Sequence, residues 1–328
     1  MDPRDRVRAA LAHGRPDRPP AGWWGHTYGQ EWSAEELAAA TVDRQRAFGW
    51  DFVKLQPRAS CFAEAFGSEY RPSDDANAGP VLVRPAVASA ADWSRFPADG
   101  EGPALGEQVE ALRMVVDELG PSVPVIQTVF SPLTVAGYLV GEDRPRMAAA
   151  LRSRTPSVDA ALAHIADALG DFAARSVAAG AAGIFFAISN FASSDLLSLA
   201  EYEDLALPHD VRVLASVPAE AWCNVLHLCG PRQHLELASE LETHAISWSI
   251  HEPGNPSLAE GRARSGRAVM GGVDLRTLVD GEPEAVRQQA RAAVASTEGT
   301  GLLLAPGCSV PPSAPEENLR AMMASVAP

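Results

Sequence analysis

The chain has 328 residues, 46% hydrophobic and 21% charged, the proportions of an ordinary globular protein and not of a disordered or fibrous one. A formal net charge of −15 at pH 7 leaves no basic stripe for a phosphate backbone, so no nucleic-acid partner is expected. Four cysteines in a chain of this size read as free thiols or metal ligands and not as a disulfide framework.

The opening, "MDPRDRVRAALAHGRPDRPP", mixes Arg with Asp and has no apolar centre, so it is not read as a secretory signal. The longest weakly polar run, "VAAGAAGIFFAI", is well short of the roughly 20 residues of a membrane span. A cytoplasmic protein without a membrane partner is the expectation. In chain order, eight β-rich runs are predicted strands: "PPAGWWGH", "WDFVKLQP", "VPVIQTVFSP", "AAGIFFAISN", "AWCNVLHLCG", "HAISWSIHE", "RAVMGGVDL" and "GLLLAPGCS". Segments between them, such as "LGEQVEALRMVVDELG" and "PEAVRQQARAAVAST", carry apolar residues at helical spacing. Several predicted helices end at glycine, as at Gly120. Met322 and Met323 read as core positions of a last helix.

Strand–helix alternation with continuously apolar strands implies a parallel sheet covered by helices. Eight such units in 328 residues predict an α/β protein of the (β/α)8 TIM-barrel class, a single domain over residues 1–328. A doubly wound open sheet is the alternative, and the lack of a Gly-rich phosphate fingerprint near the N-terminus weighs against it.

A barrel places its chemistry at the C-terminal ends of its strands. The polar residues there are His26; Lys54, Gln56 and Arg58; Ser131; Ser189 and Asn190; His227 and Cys229; His251 and Glu252; Asp274; and Cys308. Side chains alternate along a strand, so His227 and Cys229 in "NVLHLCG" face the same way. With Cys308 from the last strand they make one nitrogen and two sulfur donors, the set of a catalytic zinc site with an open fourth position. The competing reading is three small core residues, since buried free cysteine often behaves as a hydrophobe. Cys61 reads as a packed thiol, and Cys223 as an interior residue nearer the middle of the barrel.

The chain resembles the uroporphyrinogen decarboxylase superfamily over nearly its whole length. "DRVRAALAHGRPDRPP" is similar to that family's opening helix and Asp-Arg-Pro-Pro turn, and "VFSPLTVAGYLVG" to its third strand and following helix. "LHLCG" resembles an H-x-C-G element. "GGVDLRTLVDGEPEAVRQQARAAV" resembles its late turn and helix, and "LAPGCSVPPSAPEENLRAMM" its C-terminal signature. H-x-C with a late Gly-Cys marks the zinc branch, whose members pass a methyl group from methylcobalamin to a thiol such as coenzyme M. The resemblance therefore implies a zinc-dependent methyltransferase with His227, Cys229 and Cys308 as zinc ligands and catalytic centre. It implies a small-molecule thiol substrate and a homodimer. A methylcorrinoid would be carried on a separate protein, because no Asp-x-His-x-x-Gly cobalamin motif occurs here. The porphyrinogen decarboxylases instead carry an arginine-rich N-terminal element, and "PPAGWWGHTYGQEW" has no arginine. They also carry Gly-His-Gly where this chain has Pro-Gly-Cys. The family's Asn-Val-Asp-Pro turn stands here as Gly-Val-Asp-Leu, from Gly272 to Leu275.

Around that centre, His26, Lys54, Gln56, Arg58, Asn190 and Glu252 are the expected substrate-binding residues. Lys54 is either an anion contact or half of an internal salt bridge. His26 is a substrate contact or a packing residue, and Trp23 and Trp24 are core or rim. Arg58 is the expected receptor for a carboxylate or sulfonate. Glu252 and Asp195 are candidate fourth ligands. His251 is a candidate titrating group whose ordinary reading is a satisfied hydrogen bond, and "GGVDL" is an anion loop or a tight turn. The alternative functions are a cofactor-free decarboxylase of the related branch and a zinc-thiolate enzyme acting on another electrophile. A closed structural zinc site, or a non-catalytic partner of a corrinoid protein, is the reading from another class.

Overall fold

A computed structural model describes residues 1–96 and 102–326. Among the described residues there are nine strands: β1 Val53–Leu55, β2 Glu69–Arg71, β3 Val81–Arg84, β4 Val125–Phe130, β5 Gly183–Ser189, β6 Val225–Cys229, β7 Ala245–Trp248, β8 Ala268–Val273 and β9 Leu302–Pro306. Seven of them form one parallel sheet in the order β1-β4-β5-β6-β7-β8-β9, so every neighbour is the next sheet strand in the chain. Helices connect them, as parallel strands require. The helices Pro103–Leu119 and Pro283–Ser296 match the predicted segments, and the first is capped by Gly120 at φ 68°.

The sheet curls around an inner cluster to which Phe52, Ile126, Phe185, Val225, Met270 and Leu303 all contribute. Alternate residues face outward onto the helices, where Leu105, Leu112, Ile165 and Phe172 are fully buried. Burial of each such side chain is worth roughly 1.5–3 kcal/mol, so the two shells fix the register of every strand.

The first of the eight predicted strands departs from expectation. Between β9 and β1 the segment from Pro20 to Gly25 is not a strand; it makes single parallel bridges from Ala21 to Leu304 and from Gly25 to Val310. Leu304 N–H donates to Pro20 O, Gly22 N–H to Leu304 O, and Asp51 N–H to Ala21 O. Two prolines remove donors at its start, so no regular ladder forms. Gly25 permits close approach, since a Cβ there would lie 2.5 Å from Val310 O. The β2–β3 hairpin was not anticipated; it is antiparallel and largely exposed. Among the described residues, no helix is long and apolar enough to cross a membrane.

Candidate metal centre

β6 carries the centre. Its residues alternate between Leu226 and Leu228, which face the helices, and Val225, His227 and Cys229, which face inward. At the end of β9 the chain runs Pro306-Gly307-Cys308, and a Cβ on Gly307 would lie 2.7 Å from Ser249 Oγ. A side chain at 307 would push this turn away from β7; glycine lets Cys308 lean over the mouth.

His227, Cys229 and Cys308 therefore converge, with one donor atom from each lying within 4.8 Å of the others. Cys229 Sγ is 3.5 Å from Cys308 Sγ, and Cys308 Sγ is 3.6 Å from His227 Nε2. Tetrahedral zinc with bonds of about 2.3 Å to sulfur and about 2.05 Å to nitrogen needs S···S and S···N spacings of about 3.8 and about 3.6 Å. The spacings from Cys308 to Cys229 and to His227 fit that ion. The donor types also fit, because two thiolates and an imidazole select a soft or borderline metal over magnesium or calcium. His227 is buried, and its Nδ1 lies 3.1 Å from Ser247 Oγ. With Nδ1–H donated to the serine, the Nε2 lone pair is left for a ligand bond. His227 and Ser247 are register partners on β6 and β7.

The two thiols divide one hydrogen bond. Cys308 is held well below the ordinary thiol range by the hydrogen bond it accepts from Cys229 and by His227 beside it. Cys229, which donates that bond and is partly buried, is pushed well above the range. The pair thus prefers to lose one proton and keep one.

A second constellation lies on the next inward faces. Lys54 is buried, and its ammonium stands 5.0 Å from the Phe185 ring and 5.8 Å from the Trp24 ring. The His227 ring packs on the same two residues, 4.9 Å from Phe185 and 6.4 Å from Trp24. Burial lowers the Lys54 pKa to about 7, against the fields of Cys308, Glu31 and Cys229, which favour the charge. Lys54 Nζ donates to Gln56 Oε1. Gln56 Nε2 donates to His26 Nε2 over 3.0 Å, and His26 Nδ1 donates to the buried Glu31 carboxylate over 2.9 Å. His26 stacks on Tyr28 at 4.6 Å. The salt-bridge alternative for Lys54 fails, because no carboxylate lies within 4.0 Å of its nitrogen among the described residues.

Other expected residues are placed differently. Arg58 is not a free anion receptor: its guanidinium donates to Glu64, to Glu107 at 2.6 Å and to Glu31 O at 2.7 Å, and it stacks over Trp32. Asn190 is held at the end of β5 with φ 63°, its N–H on Cys229 O and its amide on Ser189 Oγ. Glu252 sits exposed at the rim, near enough for its charge to raise the Cys229 pKa, without a side-chain hydrogen bond among the described residues. Asp195 is paired with Arg232 on the surface, outside the His–Cys–Cys cluster. His251 is exposed and 3.4 Å from Gly272 O, and Asp274 accepts from Thr277 beside a helix start. Trp23 and Trp24 are both core. Cys61 and Cys223 are buried away from the centre.

Sequence reasoning missed Ser247 and Glu31. Ser247 is signalled only by inward alternation on the strand after the H-x-C pair. Glu31 lies five residues from the histidine it holds, in a loop with no regular period to place it.

The family model described as uroporphyrinogen decarboxylase (URO-D) matches residues 2–327. A uroporphyrinogen decarboxylase of Mycobacterium ulcerans is 32% identical over 228 residues, which cover 67% of this chain and 62% of that protein. The match spans about three fifths of the length of such decarboxylases. A methylcobamide:CoM methyltransferase, MtaA, of Methanosarcina barkeri is 28% identical over 298 residues, covering 89% of this chain and 84% of the relative. Among solved structures, a methyltransferase from Methanosarcina mazei shares the fold with a TM-score of 0.82 at 23% identity, covering 99% of this chain and 98% of the other. The strands that assemble the His–Cys–Cys cluster and the match that runs across all of them lead to one assignment: the chain belongs to the uroporphyrinogen decarboxylase family.

Proposed function

We propose that this protein is a zinc-dependent methyltransferase that passes a methyl group from a methylcorrinoid on a separate protein to a small-molecule thiol. The observation that carries the reading is the convergence of one ring nitrogen of His227 with Cys229 Sγ and Cys308 Sγ within 4.8 Å at the C-terminal ends of parallel strands. Zinc held there would supply a thiol that is deprotonated at neutral pH, still nucleophilic and fixed in place. Relatives named as methylcobamide:CoM methyltransferases, matched over most of both chains, support the donor. The Pro20–Gly25 segment would serve as the eighth stave of a (β/α)8 barrel, on the strength of its hydrogen bonds to Leu304 and from Asp51.

In this reading His227, Cys229 and Cys308 hold the metal, and Ser247 fixes the His227 tautomer. Phe185 and Trp24 form a dry wall beside the imidazole, and Lys54, Gln56 and His26 line the substrate side. Asn190 shapes the rim by clamping the end of β6. The decarboxylase alternative calls for free arginines at the mouth, whereas Arg58 is already spent on Glu64 and Glu107.

Metal content of the purified protein, beside that of Cys308→Ser, tests the reading. About one zinc per chain, lost or greatly weakened in the variant, is expected. Thiol-dependent demethylation of free methylcobalamin should accompany the zinc and disappear with it. Protein that takes up no zinc when zinc is added overturns the assignment.

A further inference from the structure

The chain contains 27 lysines and arginines, and Lys54 is the single lysine among them. Arginine serves at every other basic position, including the buried Arg6 and Arg58. The one place that departs from this habit is an inward position of β1, 6% exposed, between the faces of Phe185 and Trp24. A guanidinium is planar and presents a five-donor fork, whereas an ammonium is a compact point charge with three donors.

The position is also built from outside. Glu31, 1% exposed, takes both His26 Nδ1–H and Thr27 N–H, which leaves His26 Nε2 as an acceptor. Gln56 must then turn its amide nitrogen to His26 and its oxygen to Lys54. Every donor in this chain faces an acceptor, so one buried carboxylate sets the orientation of the group that holds the lysine. Gln56 is the one hydrogen-bond partner of Nζ among the described residues. Two of three N–H groups are unspent on a side chain more than nine-tenths buried, which marks a place for an anion.

Charge counting says which anion. A divalent ion with two thiolates and a neutral imidazole has no net charge, and a third thiolate makes it −1. A buried site of that kind needs one positive charge nearby. Lys54 shares the Phe185 and Trp24 rings with His227, and the fields of Cys308 and Cys229 reach its ammonium.

We propose that Lys54 is the counter-charge of the substrate sulfur, and that Gln56, His26 and Glu31 are positioning residues that aim it. This inference rests on the zinc–thiol reading and deepens it: the ligand of Lys54 is the thiolate itself.

The single lysine makes the test direct. In zinc-loaded protein labelled with 13C,15N-lysine, one side-chain resonance should move on addition of 2-mercaptoethanol and stay still with ethylene glycol. Lys54→Met should keep the zinc content of the parent. Its affinity for 2-mercaptoethanol, read from the thiolate-to-metal absorption of cobalt-substituted protein, should fall at least about tenfold. Lys54→Arg should not restore it. His26→Phe, which cuts the chain without touching Lys54, should weaken thiol binding several-fold and shift the lysine resonance with zinc unchanged. A resonance indifferent to the thiol, or a Lys54→Met protein that binds it as tightly as the parent, overturns the proposal while the zinc–thiol reading stands. Parent protein that holds zinc but no thiol overturns both.

Discussion

Ser247 Oγ stands 3.1 Å from Nδ1 of His227, its register partner on the neighbouring strand, and both side chains are buried. The contact sets which imidazole nitrogen faces Cys308. Ser247→Ala should therefore leave the fold intact and weaken zinc binding by roughly 10- to 100-fold, the usual effect of removing such a partner. Competition with a chelator measures the loss, and thermal unfolding checks the fold. Unchanged affinity would mean that the cysteines alone hold His227 in place.

The Cys229–Cys308 pair gives a proton count. Cys308 already favours the thiolate because Cys229 donates to it, and Cys229 holds its proton well above the ordinary range. Zinc uptake near neutral pH should then displace about one proton from the pair instead of two. Calorimetric titration in buffers of different ionisation heat reads that number. Acidification should weaken uptake first by reprotonating Cys308, since the pair then has two protons to lose. A count near two would show that both thiols are protonated in the metal-free protein.

Much of this was legible in the sequence, for reasons that differ by element. The strands β4 to β9 are apolar runs bounded by turns and caps, and burial on both faces writes that pattern directly. The Pro20–Gly25 segment has the same composition but lacks the donors of a ladder, which only its hydrogen bonds reveal. The β2–β3 hairpin is short and exposed, so no hydrophobic alternation announces it. His227 and Cys229 were readable as one face of a strand, and Cys308 as the end of another. Arg58 misleads because its partners lie six and 49 residues away. Its exposure, 4%, could not be read from "KLQPRAS".

That reassignment carries its own prediction. Arg58→Met should destabilise the protein by about 3–5 kcal/mol, because Glu64 and Glu107 lose a largely buried partner. Thiol affinity of the folded fraction should stay at the parental value. Urea unfolding and cobalt-thiolate absorption separate the two effects. A stable variant with impaired thiol binding would return Arg58 to the substrate site.

Asp210, outside the His227–Cys229–Cys308 cluster, should govern stability with pH. Its carboxyl is fully buried, Oδ2 accepts the Tyr202 hydroxyl at 2.6 Å, and Oδ1 has no partner among the described residues. Burial pushes its pKa from 3.8 up to about 8, against the hydrogen bond from Tyr202. The folded state thus binds this proton more tightly than the unfolded chain does. Its contribution is complete below the unfolded value and is lost as pH rises through the folded one, so the protein should lose stability between about pH 4 and about pH 8. The loss should be on the order of a few kcal/mol. Asp210→Asn keeps an acceptor for Tyr202 and removes the ionisation. Urea unfolding at about pH 6 and about pH 8.5 should show the parent weakening and the variant holding steady, with the variant the more stable of the two at the higher pH. An equal decline in both would place the pH dependence elsewhere and leave Asp210 ionised in its folded surroundings.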